Sequence, residues 1–136
     1  MMISTKGRYA LRVMLDLAMN DEGKPISLKD VAERQNISMK YLEMIVSLLN
    51  KSGMVTSQRG KSGGYRLAKD ASEYYIGEIL RVAEGTLATV QCLEEGAQTC
   101  ERADACITLP LWRKMNDIVN EYIDSITLQD LIDKKL

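Results

Sequence analysis

The three cysteines of this chain, Cys92, Cys100 and Cys106, lie within one stretch of fifteen residues, and the chain contains no histidine. Thiolates bind soft metals and iron–sulfur clusters, and they can also be oxidised to a disulfide such as Cys92–Cys100. A structural zinc site normally has four nitrogen or sulfur ligands, so zinc would need a carboxylate here. A purely apolar role is disfavoured because the surrounding loop is polar. The cysteines therefore indicate an iron–sulfur cluster first, with thiol redox chemistry and zinc as alternatives.

Iron–sulfur clusters usually take four cysteine ligands or a substitute for one of them. Three protein thiolates would leave one iron exposed or weakly held. Such a cluster is labile, which suits a sensor better than a structural site. Three cysteines and an open fourth position are compatible with a 2Fe–2S cluster, which we favour, and with a 4Fe–4S cluster.

The net charge of −1 hides an asymmetry between the two halves of the chain. Residues 1–69 hold 12 Lys and Arg against 6 Asp and Glu, whereas residues 70–136 hold 6 against 13. A basic surface can approach phosphates and an acidic one cannot. The asymmetry favours a nucleic-acid-binding face in the first half, although surface composition alone could produce it.

Helical periodicity and capping residues organise the basic half. A first helix is predicted over Thr5–Met19, where apolar residues recur at helical spacing before a polar, Gly-containing break. Ser27 to Asp30 predicts a capping box at the start of a short helix that runs through Arg34. Ser38 is predicted to cap the next helix, which ends at Gly53. Two short helices joined by a tight turn form the helix-turn-helix pattern.

Two β-prone runs, 54–58 and 65–68, flank a basic, Gly-rich tip at 59–64. This pattern predicts a hairpin, and a hairpin directly after a helix-turn-helix is the wing of a winged helix. The tip lacks the spacing of a nucleotide-binding phosphate loop. A further short helix is predicted over residues 76–83, ended by Gly85.

The acidic half is predicted to contain the cysteine loop and a long C-terminal dimerisation helix that begins near Pro110. Its broad apolar face exceeds what one small domain can cover, so we expect it to pack against a second copy of the chain. Thr127 to Asp130 predicts a capping box before a short last helix. The predicted fold is mainly α, divided into a winged helix-turn-helix domain (1–85), a cysteine loop (86–107) and a dimerisation region (108–136).

Residues on the solvent side of the second helix of the helix-turn-helix and on the wing tip are expected to contact a double-stranded DNA operator. The first residues of a recognition helix reach base edges in the major groove, and an arginine on a wing can enter a narrow minor groove. A glutamate there can accept a hydrogen bond from cytosine and so discriminate between sites. The candidate DNA-binding residues are Ser38, Lys40, Tyr41, Glu43, Arg59, Gly60 and Lys61.

Several segments of the chain resemble the Rrf-type winged-helix transcription regulators, and the resemblance runs through nearly the whole chain. That family includes iron–sulfur cluster regulators, nitric-oxide sensors and repressors of cysteine metabolism. The three loop cysteines are similar to those of the cluster regulators. The segments that carry the resemblance are 4–10, 37–43, 59–60, 63–65, 111–113 and 126–128.

The resemblance implies a homodimeric regulator, mostly a repressor, whose three cysteines hold a 2Fe–2S cluster. It also implies that a glutamate at position 43 lets cluster loading change the class of DNA site that is bound. The alternative within the family is a repressor of cysteine metabolism controlled by a partner enzyme or by thiol oxidation. A cysteine-biosynthesis or cluster-assembly protein is therefore a possible partner.

The chain departs from the family pattern at the fourth cluster ligand. Leu109 occupies the place where cluster regulators have a histidine, and Arg8 occupies the place of an acidic ligand in the nitric-oxide sensors. Solvent, a small thiol or a partner subunit could supply the ligand instead. Candidates within the loop are Glu94, Glu95, Glu101 and Asp104.

Other functional classes fit the sequence poorly. No nucleophile elbow, histidine or paired-carboxylate motif indicates an enzyme. No apolar run has the length of a membrane span, and the first residues lack the pattern of a secretory signal. We therefore expect a cytoplasmic location and no membrane partner. An iron–sulfur carrier that does not regulate genes is the remaining alternative.

Overall fold

In the computed structural model, which describes residues 2–136, the chain forms six α-helices and one two-stranded antiparallel sheet. Short 3-10 turns occur at Ala71–Glu73, Gln91–Leu93 and Ala103–Ala105. This is the predicted mainly α, winged helix-turn-helix fold. The elements in chain order are α1 (Thr5–Met19), α2 (Leu28–Gln35), α3 (Met39–Lys51), β1 (Val55–Gln58), β2 (Gly64–Leu67), α4 (Ile76–Glu84), α5 (Leu109–Ile123) and α6 (Leu128–Ile132).

Local side chains define where the two helices of the helix-turn-helix begin and where the first of them ends. The Ser27 hydroxyl accepts a hydrogen bond from the Asp30 amide at 3.2 Å, and the Ser38 hydroxyl accepts one from the Tyr41 amide at 3.3 Å. Between these caps, Asn36 ends α2 in the left-handed conformation, with φ of 52°. The predicted cap at Ser38 is confirmed. At Ser27 the serine caps α2, but the reciprocal Asp30 bond of the predicted capping box does not form.

The wing is a hairpin in which Val55 pairs with Leu67 and Gln58 pairs with Gly64. A further bridge joins Tyr65 to Ile26, so the loop before α2 lies along the other side of β2. Gly64 has φ of 153°, and a Cβ at this position would lie 2.1 Å from the Ile26 carbonyl oxygen. Only glycine allows the two backbones to approach this closely.

One hydrophobic core holds the winged helix together and includes residues from both ends of the chain. Leu128 of α6 is completely buried in the same core as Met14 of α1 and Leu42 of α3. At the other end, the Glu84 carboxylate accepts hydrogen bonds from the Ser4 and Gly7 amides at 2.8 and 3.0 Å. The end of α4 therefore fixes the start of α1.

Helix α5 has 15 residues, the same length as α1. Its apolar residues divide into two sets: Ile123, with Ile126 just beyond the helix, packs against the core, whereas a second stripe stays in solvent. That stripe is 44–54% exposed and consists of Leu111, Met115, Ile118 and Tyr122. Within residues 2–136, no helix is long and apolar enough to span a bilayer.

Candidate DNA-binding surface and cysteine cavity

Helix α3 presents two contrasting faces. Leu42, Ile45, Val46 and Leu49 are buried in the core. Ser38, Lys40 and Glu43 are exposed on the outer side, and Tyr41 is half-buried at its edge. A shallow cavity of about 440 Å³ lies on this outer side, lined by Ser38, Lys40, Tyr41 and Met44. The cavity thus brings together three of the four residues predicted on this helix, whereas Glu43 is exposed but does not line it.

The Tyr41 ring is held in place by α1. It packs edge-on against Tyr9, with ring centroids 5.6 Å apart and an interplanar angle of 86°. The Arg12 guanidinium lies 5.0 Å above the Tyr9 ring and donates hydrogen bonds to the side chain and the carbonyl of Gln35. Tyr9 and Arg12 were not predicted as site residues. Their spacing of three on one helix face is the only sequence signal that could have suggested them.

A buried carboxylate on α1 fixes the end of α2. Asp16 is 3% exposed and accepts two hydrogen bonds from Arg34, from Nε at 3.0 Å and from Nη2 at 2.8 Å. Gln35 donates a third at 2.9 Å. The hydrogen bonds to Asp16 raise the pKa of Arg34 above its usual range. This charged network determines where α2 stops and therefore where the turn before α3 begins.

The wing tip carries the basic residues predicted to reach DNA. Arg59, Gly60 and Lys61 are all exposed. Gly60 adopts φ of 112°, and its carbonyl accepts a hydrogen bond from the Gly63 amide at 3.0 Å, which closes the tip. Arg59 and Lys61 thus project from a tight turn that lies at the far end of the hairpin.

An ion pair ties β2 to the loop after α1. Arg66 lies 3.1 Å from Asp21. The pKa of Asp21 is lowered, first by the hydrogen bond from the Gly23 amide and then by Arg66. Both side chains are partly exposed, so the pair orients the wing more than it stabilises the fold.

All three cysteines line one cavity of about 160 Å³. Its wall is completed by residues of the loop and by Leu109 and Arg113 from the start of α5. Each cysteine is a free thiol; Cys92 and Cys100 are exposed and Cys106 is half-buried. The pKa of Cys106 is lowered, chiefly by the hydrogen bond with the Thr108 hydroxyl, which favours the metal-binding thiolate.

Thiolates such as the three that line this cavity are the usual ligands of iron–sulfur clusters. Within residues 2–136, no three His, Cys, Asp or Glu side chains are arranged to hold one ion. A cluster distributes its thiolate ligands over several irons, so its ligands need not converge on one point. Among the candidate fourth ligands, Glu94 lines an adjoining cavity of about 340 Å³ together with Cys92.

The cysteine loop is attached to α5 at its beginning. The Thr89 amide donates to Asn116 Oδ1 and the Thr89 hydroxyl donates to the Trp112 carbonyl, both at 3.2 Å. Further along, Arg81 of α4 contacts Asp124 at 2.7 Å and Asn120 at 2.6 Å. Helix α5 is therefore hydrogen-bonded to the start of the cysteine loop in its first half and to α4 near its C-terminus.

A family model described as an iron-dependent transcriptional regulator, Rrf2, matches residues 3–134. The chain belongs to the Rrf2 family. It is 41% identical over 135 residues to the HTH-type transcriptional regulator IscR of Escherichia coli, a match that covers 99% of this chain and 82% of IscR. The family resemblance seen in the sequence is confirmed.

Two solved Rrf2-family structures are similar over the entire chain. CymR (YrzC), the global cysteine regulator of B. subtilis, is 40% identical with a TM-score of 0.79 and is covered to 99%. T. potens IscR is 37% identical, also with a TM-score of 0.79, and is covered to 89%. This Rrf2 protein is a transcriptional regulator and not an enzyme, as predicted. Its similarity to IscR and to CymR is nearly equal, so the signal it senses has to be argued from the cysteines.

Proposed function

We propose that this Rrf2 regulator binds operator DNA as a homodimer, mostly as a repressor, and senses iron–sulfur supply through a labile cluster. The observation that carries the proposal is the single cavity lined by Cys92, Cys100 and Cys106. The three functional regions are the winged helix at 1–85, the cysteine loop at 86–107 and the dimerisation region at 108–136.

The DNA-binding part of the proposal uses the outer side of α3 and the wing tip. Ser38, Lys40, Tyr41 and Glu43 would enter the major groove, where Lys40 supplies charge and Glu43 discriminates between bases. The wing would add a minor-groove contact through Arg59, with Gly60 and Lys61 beside it. Ser38 already accepts a hydrogen bond as the α3 cap, so its hydroxyl remains a donor toward phosphate or a base.

A second copy of the chain would cover the exposed stripe of α5. Leu111, Met115, Ile118 and Tyr122 repeat every three or four residues along one side of the helix. Packing this stripe against its symmetry mate removes it from water and generates two α3 helices related by a two-fold axis. Such a dimer would read two half-sites on one face of the DNA.

Cys92, Cys100 and Cys106 would hold the cluster, whose lability toward oxygen and iron shortage provides the signal. The protein contributes a cavity that solvent reaches, with a thiol of lowered pKa at Cys106. Because Thr89 joins this loop to α5, a change in loop conformation would reach the dimer interface. A shift of α5 against its partner would in turn alter the spacing of the two α3 helices.

Operator binding by cysteine variants tests this function. Anaerobically purified wild-type protein should change its affinity for a selected operator duplex after iron chelation. The variants Cys92→Ser, Cys100→Ser and Cys106→Ser should each bind with one fixed affinity, with or without chelator. A wild-type affinity that does not respond to chelation would contradict cluster sensing and leave DNA binding intact.

The alternative function is repression of cysteine metabolism under the control of thiol oxidation or a partner enzyme. The similarity to the global cysteine regulator CymR and the exposure of Cys92 and Cys100 favour it. Diamide treatment of iron-free protein distinguishes the two functions. A large change in operator affinity that dithiothreitol reverses would support the thiol mechanism.

A further inference from the structure

The Tyr74 side chain joins the two ends of the wing at its base. Its ring is 1% exposed. Its hydroxyl donates to the Met54 carbonyl at 2.5 Å and accepts from the amides of Ala68 and Lys69 at 2.9 and 3.2 Å. Met54 precedes β1, while Ala68 and Lys69 follow β2, so one oxygen holds both strands where they leave the core.

The Tyr74 backbone is attached to the segment that follows α5. Its carbonyl accepts a hydrogen bond from the Leu128 amide at 3.0 Å, and the Ile76 amide donates to the Ile126 carbonyl at 2.8 Å. These bonds flank a bridge between Tyr75 and Thr127. The residue that holds the wing base therefore also contacts the first residue of α6, which follows the proposed dimerisation helix.

Besides the Tyr74 hydroxyl, the wing is attached to the domain by the partly exposed Arg66–Asp21 ion pair and by one short bridge. The hairpin comprises four residue pairs, and beside the base it is bridged to the domain at Ile26 and Tyr65. With the hydroxyl removed, the base would lose its links to the Ala68 and Lys69 amides through Tyr74. It would keep the bond from the Ala68 amide to the Met54 carbonyl at 3.2 Å and the bond from the Met54 amide to the Leu49 carbonyl at 3.0 Å. The hairpin could then pivot about the bridge at Ile26 while remaining a hairpin.

We propose that the Tyr74 hydroxyl is a positioning group that fixes the direction of the wing and thereby aims Arg59 at the DNA. This inference rests on the proposed function, because it assumes that the wing tip contacts DNA. Tyr74 itself does not reach the DNA; it acts through the backbone at Met54 and Lys69. The bonds to residues 126–128 couple that direction to the loop between α5 and α6.

A double-mutant cycle separates positioning from general stability. The probe is an operator duplex selected from a random pool by wild-type protein, with affinity measured at one salt concentration and well below the unfolding temperature. We expect Arg59→Ala to weaken binding about tenfold and Tyr74→Phe to weaken it several-fold. Combined with Arg59→Ala, Tyr74→Phe should add nothing further. Combined with Lys40→Ala, the two fold-losses of affinity should multiply, because Lys40 lies on α3 and not on the wing.

The controls make each outcome decisive. The neighbouring Tyr75→Phe, a change on a partly exposed ring, should leave affinity unchanged. If the affinity loss from Tyr74→Phe multiplies equally with the losses from Arg59→Ala and from Lys40→Ala, the role of Tyr74 is merely structural and the inference is wrong. If Arg59→Ala alone has no effect, the proposed wing contact itself is wrong.

Hydrogen exchange of the wild-type protein gives a second test that needs no variant. The Lys69 amide donates to the Tyr74 hydroxyl, so it should exchange far more slowly than the amides of the wing tip. An exchange rate at Lys69 equal to that at Lys61 would overturn the inference.

Discussion

Replacing Asp16 with alanine should destabilise the protein more than any substitution of a surface charge. The Asp16 side chain is 1% exposed and accepts three hydrogen bonds, whereas its partner Arg34 is 38% exposed. Removing one member of a fully buried ion pair costs about 3–5 kcal/mol. Because Arg34 can recover water on its exposed side, we expect about 2 kcal/mol, or roughly 7 °C in Tm for a chain of this size.

The assay is thermal unfolding followed by circular dichroism, at one protein concentration so that dimerisation does not alter the Tm. Asp21→Ala is the matched control, because the Asp21–Arg66 pair is 37% and 40% exposed and should contribute less than about 1 kcal/mol. Asp16→Asn, which keeps the shape without the charge, should fall between the two. A Tm decrease for Asp16→Ala no larger than that for Asp21→Ala would refute the inference that the hydrogen bonds of Asp16 to Arg34 and Gln35 anchor α2.

The remaining predictions concern the wing base, the dimer and the cysteines. Burial raises the pKa of Tyr74 above 10.0, so the stability that the neutral hydroxyl contributes is complete below pH 10 and is lost as the pH rises further. In denaturant titrations, Tyr74→Phe should therefore show a smaller alkaline decrease in the free energy of unfolding than wild type. Parallel plots of that free energy against pH would contradict this prediction. Ile118→Glu should convert a dimer to a monomer in light scattering, while Asp117→Ala on the same helix should not; a dimeric Ile118→Glu protein would exclude this interface. Cys100→Ser should lower bound iron after anaerobic purification without lowering the Tm of the iron-free protein, and an unchanged iron content would remove Cys100 from the ligand set.

The elements with local signals could be predicted from the sequence. The bounds of α1, the caps at Ser27 and Ser38, and the capping box from Thr127 to Asp130 all agree with the structure. Each of these features depends on residues within four positions of one another. Hydrogen bonds of this range are encoded in the chain itself, whatever the tertiary fold.

The features that depend on distant residues could not be predicted. Asp16 meets Arg34 and Gln35 only because α1 crosses the end of α2, and the Tyr74 hydroxyl meets Met54 only because the wing folds back on itself. The division of the α5 face also depends on distant residues, since packing against α6 and the core determines which apolar residues of α5 are covered. In the sequence, Tyr74 and Tyr75 are indistinguishable, yet one is buried and the other is exposed.

The sequence predicted the cysteines of the site but not the contacts that attach their loop to the rest of the fold. The sequence places three cysteines in one loop, but the contribution of Leu109 and Arg113 to the cavity and the attachment of the loop at Thr89 require the fold. Those connections give the cysteines a route to α5. The proposed regulatory mechanism depends on those connections and can be tested through them.

The central claim is that the cysteine cavity holds an iron–sulfur cluster. The most direct measurement is the visible absorption spectrum of protein purified without oxygen, together with assays of iron and acid-labile sulfide. We expect charge-transfer bands in the spectrum, with iron and sulfide present in proportion to protein. The bands, the iron and the sulfide should all be reduced in Cys92→Ser. Colourless, iron-free protein that stays so after attempted reconstitution would contradict the central claim and would leave thiol oxidation or a partner enzyme as the signal.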